Sequence, residues 1–211
     1  MMKKIMIELK TPLLVSILFL FVCGLAYPLL MTGLSQVIFP KQANGSLITI
    51  NNKIIGSELI GQDFTDSRFM KGRPSAVNYN TYTIEEKEEG VYGGVASGSN
   101  NFAATNPELV KRVKKDMTEF LTNNPKIKKS QIPADLLTAS GSGLDPHISY
   151  DSALIQLPEI SETSGLDEME LQKIVEKNTG NKFIGVFGEK TVNVLGVNIE
   201  IAKKIDANKT K

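Results

Sequence analysis

The chain has no tryptophan, one cysteine (Cys23), one histidine (His147) and three arginines, Arg68, Arg73 and Arg112. Each scarcity removes a class of explanation. One cysteine forms no intrachain disulfide, so any folded part must be held by burial, hydrogen bonding or docking. One histidine leaves a metal site to be built from carboxylates, and no spaced cluster suggests one. The missing tryptophan disfavours a platform for stacking sugars. There is no Gly-x4-Gly-Lys-Ser/Thr phosphate loop and no Gly-x-Ser-x-Gly nucleophile elbow. No repeat of fixed period is present.

Charge is absent in one long place, Thr11–Pro40. A charged side chain costs several kcal/mol at a bilayer centre, so this gap is a physical signal. Spanning the hydrocarbon core takes about 20 residues. Pro12–Phe39 as one helix is about 42 Å long, enough to cross. Pro12 is placed early, where a missing N–H does little harm. Pro28 is interior and is expected to kink the helix or mark its exit. Gly24 and Gly33 would let another helix approach, although their spacing is not that of a GxxxG motif. A cleaved signal peptide is the competing account, with Gly24-Leu25-Ala26 as a small-x-small site. The apolar run through Leu34, Val37 and Ile38 argues against cleavage, and bulky Val22 before Cys23 argues against a lipoprotein signal.

Lys3, Lys4 and Lys10 precede the span against one acid, Glu8. The positive-inside bias then puts residues 1–10 in the cytoplasm, residues 11–39 in the cell membrane and residues 40–211 outside. The outer part holds 21 basic and 22 acidic residues. That balance is neither a nucleic-acid surface nor an acidic tail. Its length suffices for one core.

The outer part reads as one α+β domain. Leu47–Ile50 and Lys53–Ile55 flank Asn51-Asn52, a hairpin whose turn residues tolerate positive φ. Leu59–Phe64 is a short strand or turn, and Thr81–Asn101 an irregular loop with an acidic run at 85–89. Thr105 or Asn106 can cap, and Pro107 suits the first turn of, a helix over Pro107–Thr122, its stripe of Leu109, Val113, Met117, Phe120 and Leu121 expected in the core. Pro133–Leu137 is one short turn. Ser149–Ser161 reads as helix that Pro158 must kink or end. Asp167 and Glu170 form a capping box for a helix within Gly165–Gly180, with Leu171, Ile174 and Val175 buried. Phe183–Phe187 and Thr191–Ile201 alternate as strands, with Leu195, Val197, Ile199 and Ile201 on the core face.

The densest local pattern is Ser140-Gly141-Ser142-Gly143-Leu144-Asp145-Pro146-His147. Its glycines permit positive φ and leave N–H groups uncovered, fit to cradle an anion or a partner's carbonyl edge. A tight connecting loop is the plainer reading. A Ser–His–acid triad from Ser140 or Ser142 with His147 is arithmetically available, so a membrane-anchored extracytoplasmic hydrolase is the rival class. A secreted binding protein is a third. Arg73 and Arg112 are candidates for bidentate carboxylate pairs, with ordinary ion pairs as the alternative.

These segments together resemble the C subunit of the bacterial Kdp potassium-transporting P-type ATPase. The resemblance runs over nearly the whole chain. It is carried by the single span, Leu59-Ile60-Gly61-Gln62, Arg73-Pro74-Ser75-Ala76 with Tyr79-Asn80, and Gly98-Ser99-Asn100. Thr105-Asn106-Pro107 with Arg112-Val113, Asp135 through Ser149, and Val192–Leu195 with Asn198 complete it. Departures are Pro158, Glu159 and Glu162 in place of an Arg-bearing helix, Lys190 in place of a proline, and Arg68-Phe69-Met70 in place of a more aromatic segment.

The resemblance implies a non-catalytic accessory subunit without the Asp-Lys-Thr-Gly-Thr phosphorylation signature. Its implied partners are a potassium-channel-like subunit, the P-type ATPase catalytic subunit and a small single-span subunit, with ATP and K+ handled by the complex. It implies a helper role that raises ATP affinity, with the glycine-rich loop touching nucleotide. The charge-derived topology opposes that contact, because it puts Gly141 and Gly143 outside. Assembly, and covering the outer mouth of the potassium pathway, is the expectation that fits both. Candidate partner or nucleotide contacts are Thr138, Ser140, Gly141, Ser142, Gly143, Asp145 and His147. Arg73, Asn100 and Arg112 are structural or interface candidates.

Overall fold

The computed structural model describes residues 2–91, 93–182 and 184–209. The chain divides into two compact units, Met1–Leu47 and Ile48–Lys211.

The first unit is helical. α1 (Met2–Phe21) runs into a π-helical turn, Val22–Ala26, then α2 (Tyr27–Ile38) and a short α3 (Pro40–Ala43). Leu9–Ile38 is long and apolar enough to cross a membrane, and none of its residues is buried. The helix begins before the charge-free stretch, so Pro12 lies in its interior rather than its first turn. Met2–Lys10 is rich in Met, Lys, Leu and Glu, all good helix formers, and nothing there stops the helix. Nor does Pro28 end it. A proline ring collides with the carbonyl four residues back, here Gly24, and supplies no N–H to it. The π turn absorbs this: Tyr27 N–H reaches back five residues to Val22 O, and the helix continues.

The second unit is α+β. β1 (Leu47–Ile50), which begins one residue before it, pairs with β2 (Lys53–Ser57) through Asn51 and Asn52, at φ 50° and 61°. Two consecutive positive φ values are what a tight hairpin turn demands. After a long irregular stretch holding α4 (Ile84–Glu88), α5 (Pro107–Asn123) starts on Asn106, whose side chain accepts from Glu108 N–H at 2.8 Å. The apolar stripe of α5 faces inward as expected, yet every member is only half-buried.

The core lies in the C-terminal half. β3 (His147–Ser149), α6 (Tyr150–Leu154), α7 (Leu157–Ser164), α8 (Glu168–Lys177), β4 (Thr179–Gly180), β5 (Thr191–Asn193) and α9 (Val194–Lys209) surround it. The sheet order is β3-β5-β4, antiparallel throughout, with Ile148 opposite Val192. Ile148, Ile160, Leu171, Val175, Val192, Val197 and Ile201 are essentially inaccessible. Full burial of such a side chain stabilises by about 1.5–3 kcal/mol. Pro158 starts α7 rather than ending a helix, because residues 155–156 break the run first. Asp167 caps α8 through Met169 N–H at 3.0 Å, while Glu170 pairs with Lys204 of α9.

The expected strand Thr191–Ile201 is a correction. Only Thr191–Asn193 is strand, and Val194–Lys209 is helix. Asn193 is the N-cap, its Oδ1 accepting from Gly196 N–H at 2.9 Å. Val194, Val197, Asn198 and Ile201 then share the buried face, a helical spacing that an alternating pattern of β-branched residues overlays. The strand expected at Phe183–Phe187 is also not found: Ile184–Val186 form a turn, and Phe183 lies outside the described residues.

One device fastens the irregular stretch to this core. Met70 N–H donates to Asn198 Oδ1 and Asn198 Nδ2 donates to Met70 O, both at 2.8 Å. Next in line, Lys71 N–H donates to Gln156 Oε1 at 2.8 Å and Gln156 Nε2 returns to Lys71 O at 3.2 Å. Asn198→Leu keeps the shape and strands two buried backbone groups of Met70. We expect a loss of about 2–4 kcal/mol, read as a lower denaturation midpoint. Gln172→Leu, which removes only an exposed bond to Glu176, should change it by less than about 0.5 kcal/mol.

Candidate functional site

The glycine-rich loop precedes β3 and is closed on itself. Gly143 N–H donates to Ser140 Oγ at 2.9 Å, Leu144 N–H to Ser142 Oγ at 3.1 Å and His147 N–H to Asp145 Oδ1 at 3.0 Å. Its carbonyls are held from outside the loop. Ser75 Oγ donates to Gly143 O at 2.6 Å, Gly98 N–H to Ser142 O at 2.8 Å and Gly61 N–H to Leu144 O at 2.8 Å. The two glycines differ sharply. Gly143 has φ +66°, and a Cβ there would stand 2.9 Å from Gly98 O and 2.8 Å from Val77 Cγ2. Gly141 is exposed, lies outside the left-handed region, and a Cβ there would meet nothing within 4 Å among the described residues.

Two of the three arginines clasp the segment leading into the loop. Arg112 donates to Leu137 O at 3.1 Å and to Asp116, one turn along α5, at 2.8 Å. Arg73 donates to Asp145 Oδ2 at 3.2 Å and reaches the Thr138 and Ala139 carbonyls at 3.4 Å. Neither makes a two-armed carboxylate pair; Arg68 does, on Asp66. Thr138 is exposed, with its hydroxyl bonded to Ala134 O. Asn100 is exposed in the segment before α5.

Tyr79 donates to Arg73 O at 2.6 Å. Burial first, then the charges of Asp145 and Asp63, push its hydroxyl up to about 12 against the opposing Arg73, so it stays a neutral donor. Tyr79 sits in a left-handed run, Asn78-Tyr79-Asn80, at φ 48°, 50° and 56°. Left-handed non-glycine residues cost roughly 1–2 kcal/mol each, less for Asn. Ser75 Oγ accepts from Tyr79 N–H at 3.0 Å and offsets part of this. A Cβ on Gly61 would lie 2.6 Å from the Tyr79 ring and from Asp145 O, so the close approach of three segments depends on that glycine. The Asn-Tyr-Asn run, with two residues tolerant of positive φ, was the available signal.

Asp135 ties the preceding turn to β3 and α6. It accepts from Ser149 N–H at 2.7 Å, Ser149 Oγ at 3.2 Å and Ser152 Oγ at 2.5 Å. Partial burial is the largest single influence and opposes ionisation. The hydrogen bonds from Ser149 and Ser152 together outweigh it and hold the carboxyl below its ordinary range. His147 Nδ1 lies 3.8 Å from Asp145 Oδ1. Ser140 and Ser142 spend their hydroxyls on loop N–H groups, and neither bonds to His147. Among the described residues, no three His, Cys, Asp or Glu side chains group as metal ligands would. An open groove of about 290 Å³ beside the loop's supports is lined by Arg73, Ser75, Tyr79, Asp116, Glu119 and Phe120 among others.

Two outcomes follow from this geometry. Gly143→Ala should cost more than about 1 kcal/mol in unfolding free energy, whereas Gly141→Ala should leave the denaturation midpoint unchanged. Because the folded-state pKa of Asp135 is depressed, its stabilisation is full above the unfolded value of 3.8 and is lost as pH falls through the lower folded value. Unfolding followed from pH 5 downward should therefore show a steeper loss in the native chain than in Asp135→Asn. Parallel curves would refute that role.

The comparisons with known proteins agree with one another. The family model KdpC, K+-transporting ATPase, c chain, matches residues 9–203. A potassium-transporting ATPase KdpC subunit from Clostridium kluyveri is 65% identical, over 93% of this chain and 94% of its own. One from Clostridioides difficile is 60% identical over 92% and 96%. One from Caldanaerobacter subterraneus is 43% identical over 96% and 98%. With a span-length apolar helix, an α+β unit behind it and a match over nearly its full length, the chain belongs to the KdpC family, the c chain of the K+-transporting ATPase.

Proposed function

We propose that this chain is an accessory subunit of the potassium-importing ATPase, anchored by residues 11–39 with its N-terminus in the cytoplasm. Its second unit docks outside on the other subunits and covers the outer mouth of the potassium pathway. The partners are the potassium-channel-like subunit, the catalytic subunit and the small single-span subunit. The orientation rests on Lys3, Lys4 and Lys10 before the span.

The observation that carries the docking reading is Gly141. It stands exposed on a loop that Ser75, Gly98, Arg73 and Arg112 hold fixed. Among the described residues, nothing requires a glycine there. A bare backbone on a preorganised ledge suits close approach by a partner, with little ordering left to lose on contact. Anion capture is less well served, because the N–H groups of Gly143, Leu144 and His147 already donate within the loop. Any rise in ATP affinity then comes through assembly rather than through nucleotide touching Ser140–Asp145.

Gly141→Ala tests this directly. The variant chain should fold with native stability yet co-purify with less of the other subunits. In whatever complex assembles, the Michaelis constant for ATP should be unchanged. Full assembly with a selectively raised Michaelis constant would sink the docking account and revive nucleotide contact. The orientation has its own check. A cysteine placed in the 85–89 run of a Cys23→Ser chain should react with an impermeant thiol reagent on intact cells.

A further inference from the structure

In the ten-residue connection between β4 and β5, residues 181–190, three described apolar side chains face outward. Ile184, Val186 and Phe187 are 76%, 72% and 66% exposed. Its stem is firmly held: Thr179 and Gly180 pair with Val192 and Thr191, and Val192 is wholly buried. Adjacent bare apolar side chains on a fixed stem mark a surface that something covers.

Charge decides what. Lys182 and Lys190 flank the apolar tip and are exposed, with Glu189 the one acid in the connection. An apolar tip within a basic collar complements a bilayer surface, which is anionic at the headgroups and apolar beneath. Another exposed apolar loop makes the contrast. Tyr82, Ile84, Val91 and Val95 are also bare, but they surround Glu85, Glu86, Glu88 and Glu89 with only Lys87 opposing. An anionic surface repels that loop. A bilayer is also at hand, given the reading of residues 11–39 as a span, on which this inference rests. Phe39–Leu47 reaches at most about 30 Å when extended, so the membrane is presented to the second unit at high effective concentration.

We propose that Ile184, Val186 and Phe187 insert into the interfacial layer of an anionic phospholipid bilayer, with Lys182 and Lys190 on the headgroups. The tip is then a second, reversible membrane contact that limits rotation of the unit about its tether.

The test uses the full chain with Cys23→Ser, reconstituted in vesicles of phosphatidylcholine and phosphatidylglycerol. An environment-sensitive dye is attached at Val186→Cys or, as the control, at Ile84→Cys. The dye at 186 should be quenched severalfold more by acyl-chain nitroxide lipids than the dye at 84, and less by aqueous iodide. Lys182→Glu with Lys190→Glu, or vesicles of phosphatidylcholine alone, should reduce the lipid quenching. Equal access of iodide to both positions overturns the proposal. So does a dye at 186 that, in the assembled ATPase, is shielded from both iodide and lipid nitroxide, since another subunit then covers the tip. An alkaline carbonate wash separates the two readings. A chain stripped from the vesicles overturns the span and the loop together, whereas a chain that stays with a wet dye at 186 overturns the loop alone.

Discussion

The second unit depends on two buried side-chain amides standing in for a strand. Asn198 and Gln156 each grip one residue of Met70-Lys71 by both N–H and C=O. A buried backbone group left unpaired costs about 1–3 kcal/mol, and among the described residues this stretch has no sheet neighbour to pair with. The amide side chain is neutral and carries its donor and acceptor on separate atoms, so it can pair with the N–H and the C=O of one residue at once. The same solution recurs farther out. Asn80 exchanges two bonds with Ala96, at 2.9 and 3.0 Å, and closes the excursion that contains α4. Asn193 Nδ2 donates to Glu58 O at 2.9 Å. Irregular chain is thus positioned as firmly as strand, without being strand.

That fixing lets the glycine-rich loop become a ledge. Met70-Lys71 is anchored on the core, so Arg73, Ser75 and Tyr79, a few residues on, arrive at defined places. Ser75 serves three backbone groups at once: Gly143 O, Val77 N–H and Tyr79 N–H. The cost is the left-handed run at Asn78–Asn80, tolerable because two of its members are Asn. Gly61 and Gly143 allow the segments to touch. Polar groups of the loop point back into the unit, and the outer rim at Thr138 and Gly141 is left bare. A rigid rim suits recognition by a protein surface better than capture of a small anion.

Much of this was legible in the sequence where a local signal dominates. Asn51-Asn52 named its turn, Pro107 its helix start and Asp167 its cap, because each rests on chemistry within four residues; between Thr105 and Asn106 as the cap of that first helix, the structure chooses Asn106. The apolar stretch declared itself by missing charge alone. Failures came where the partner is distant. Val194–Ile201 alternates and is β-branched, so its strand pattern masked the helical spacing. Only the Asn193 cap and the packing of Val197 and Ile201 choose between them. The stripe of α5 was correctly faced but too deeply placed, since periodicity gives direction and not depth. Arg73 and Arg112 stood out as candidates, but the carbonyls they serve, on Thr138, Ala139 and Leu137, lie on segments no local rule connects to them.

The span shows the same logic under a harsher solvent. In hydrocarbon a freed carbonyl has no water to turn to, so a proline in a crossing helix must be answered within the helix or by a neighbour. Pro28 withdraws a donor from Gly24 O, and the chain answers by widening one turn, with Tyr27 N–H bonded to Val22 O. The helix therefore stays continuous from Leu9 to Ile38 and remains long enough to cross. The donor missing at Pro28 is taken from the carbonyl of Gly24, a residue that carries no side chain to screen it. In both units, then, backbone irregularity is resolved by hydrogen bonds within the chain. What remains exposed, Gly24 in the span and Gly141 on the ledge, is small enough for another polypeptide to come close.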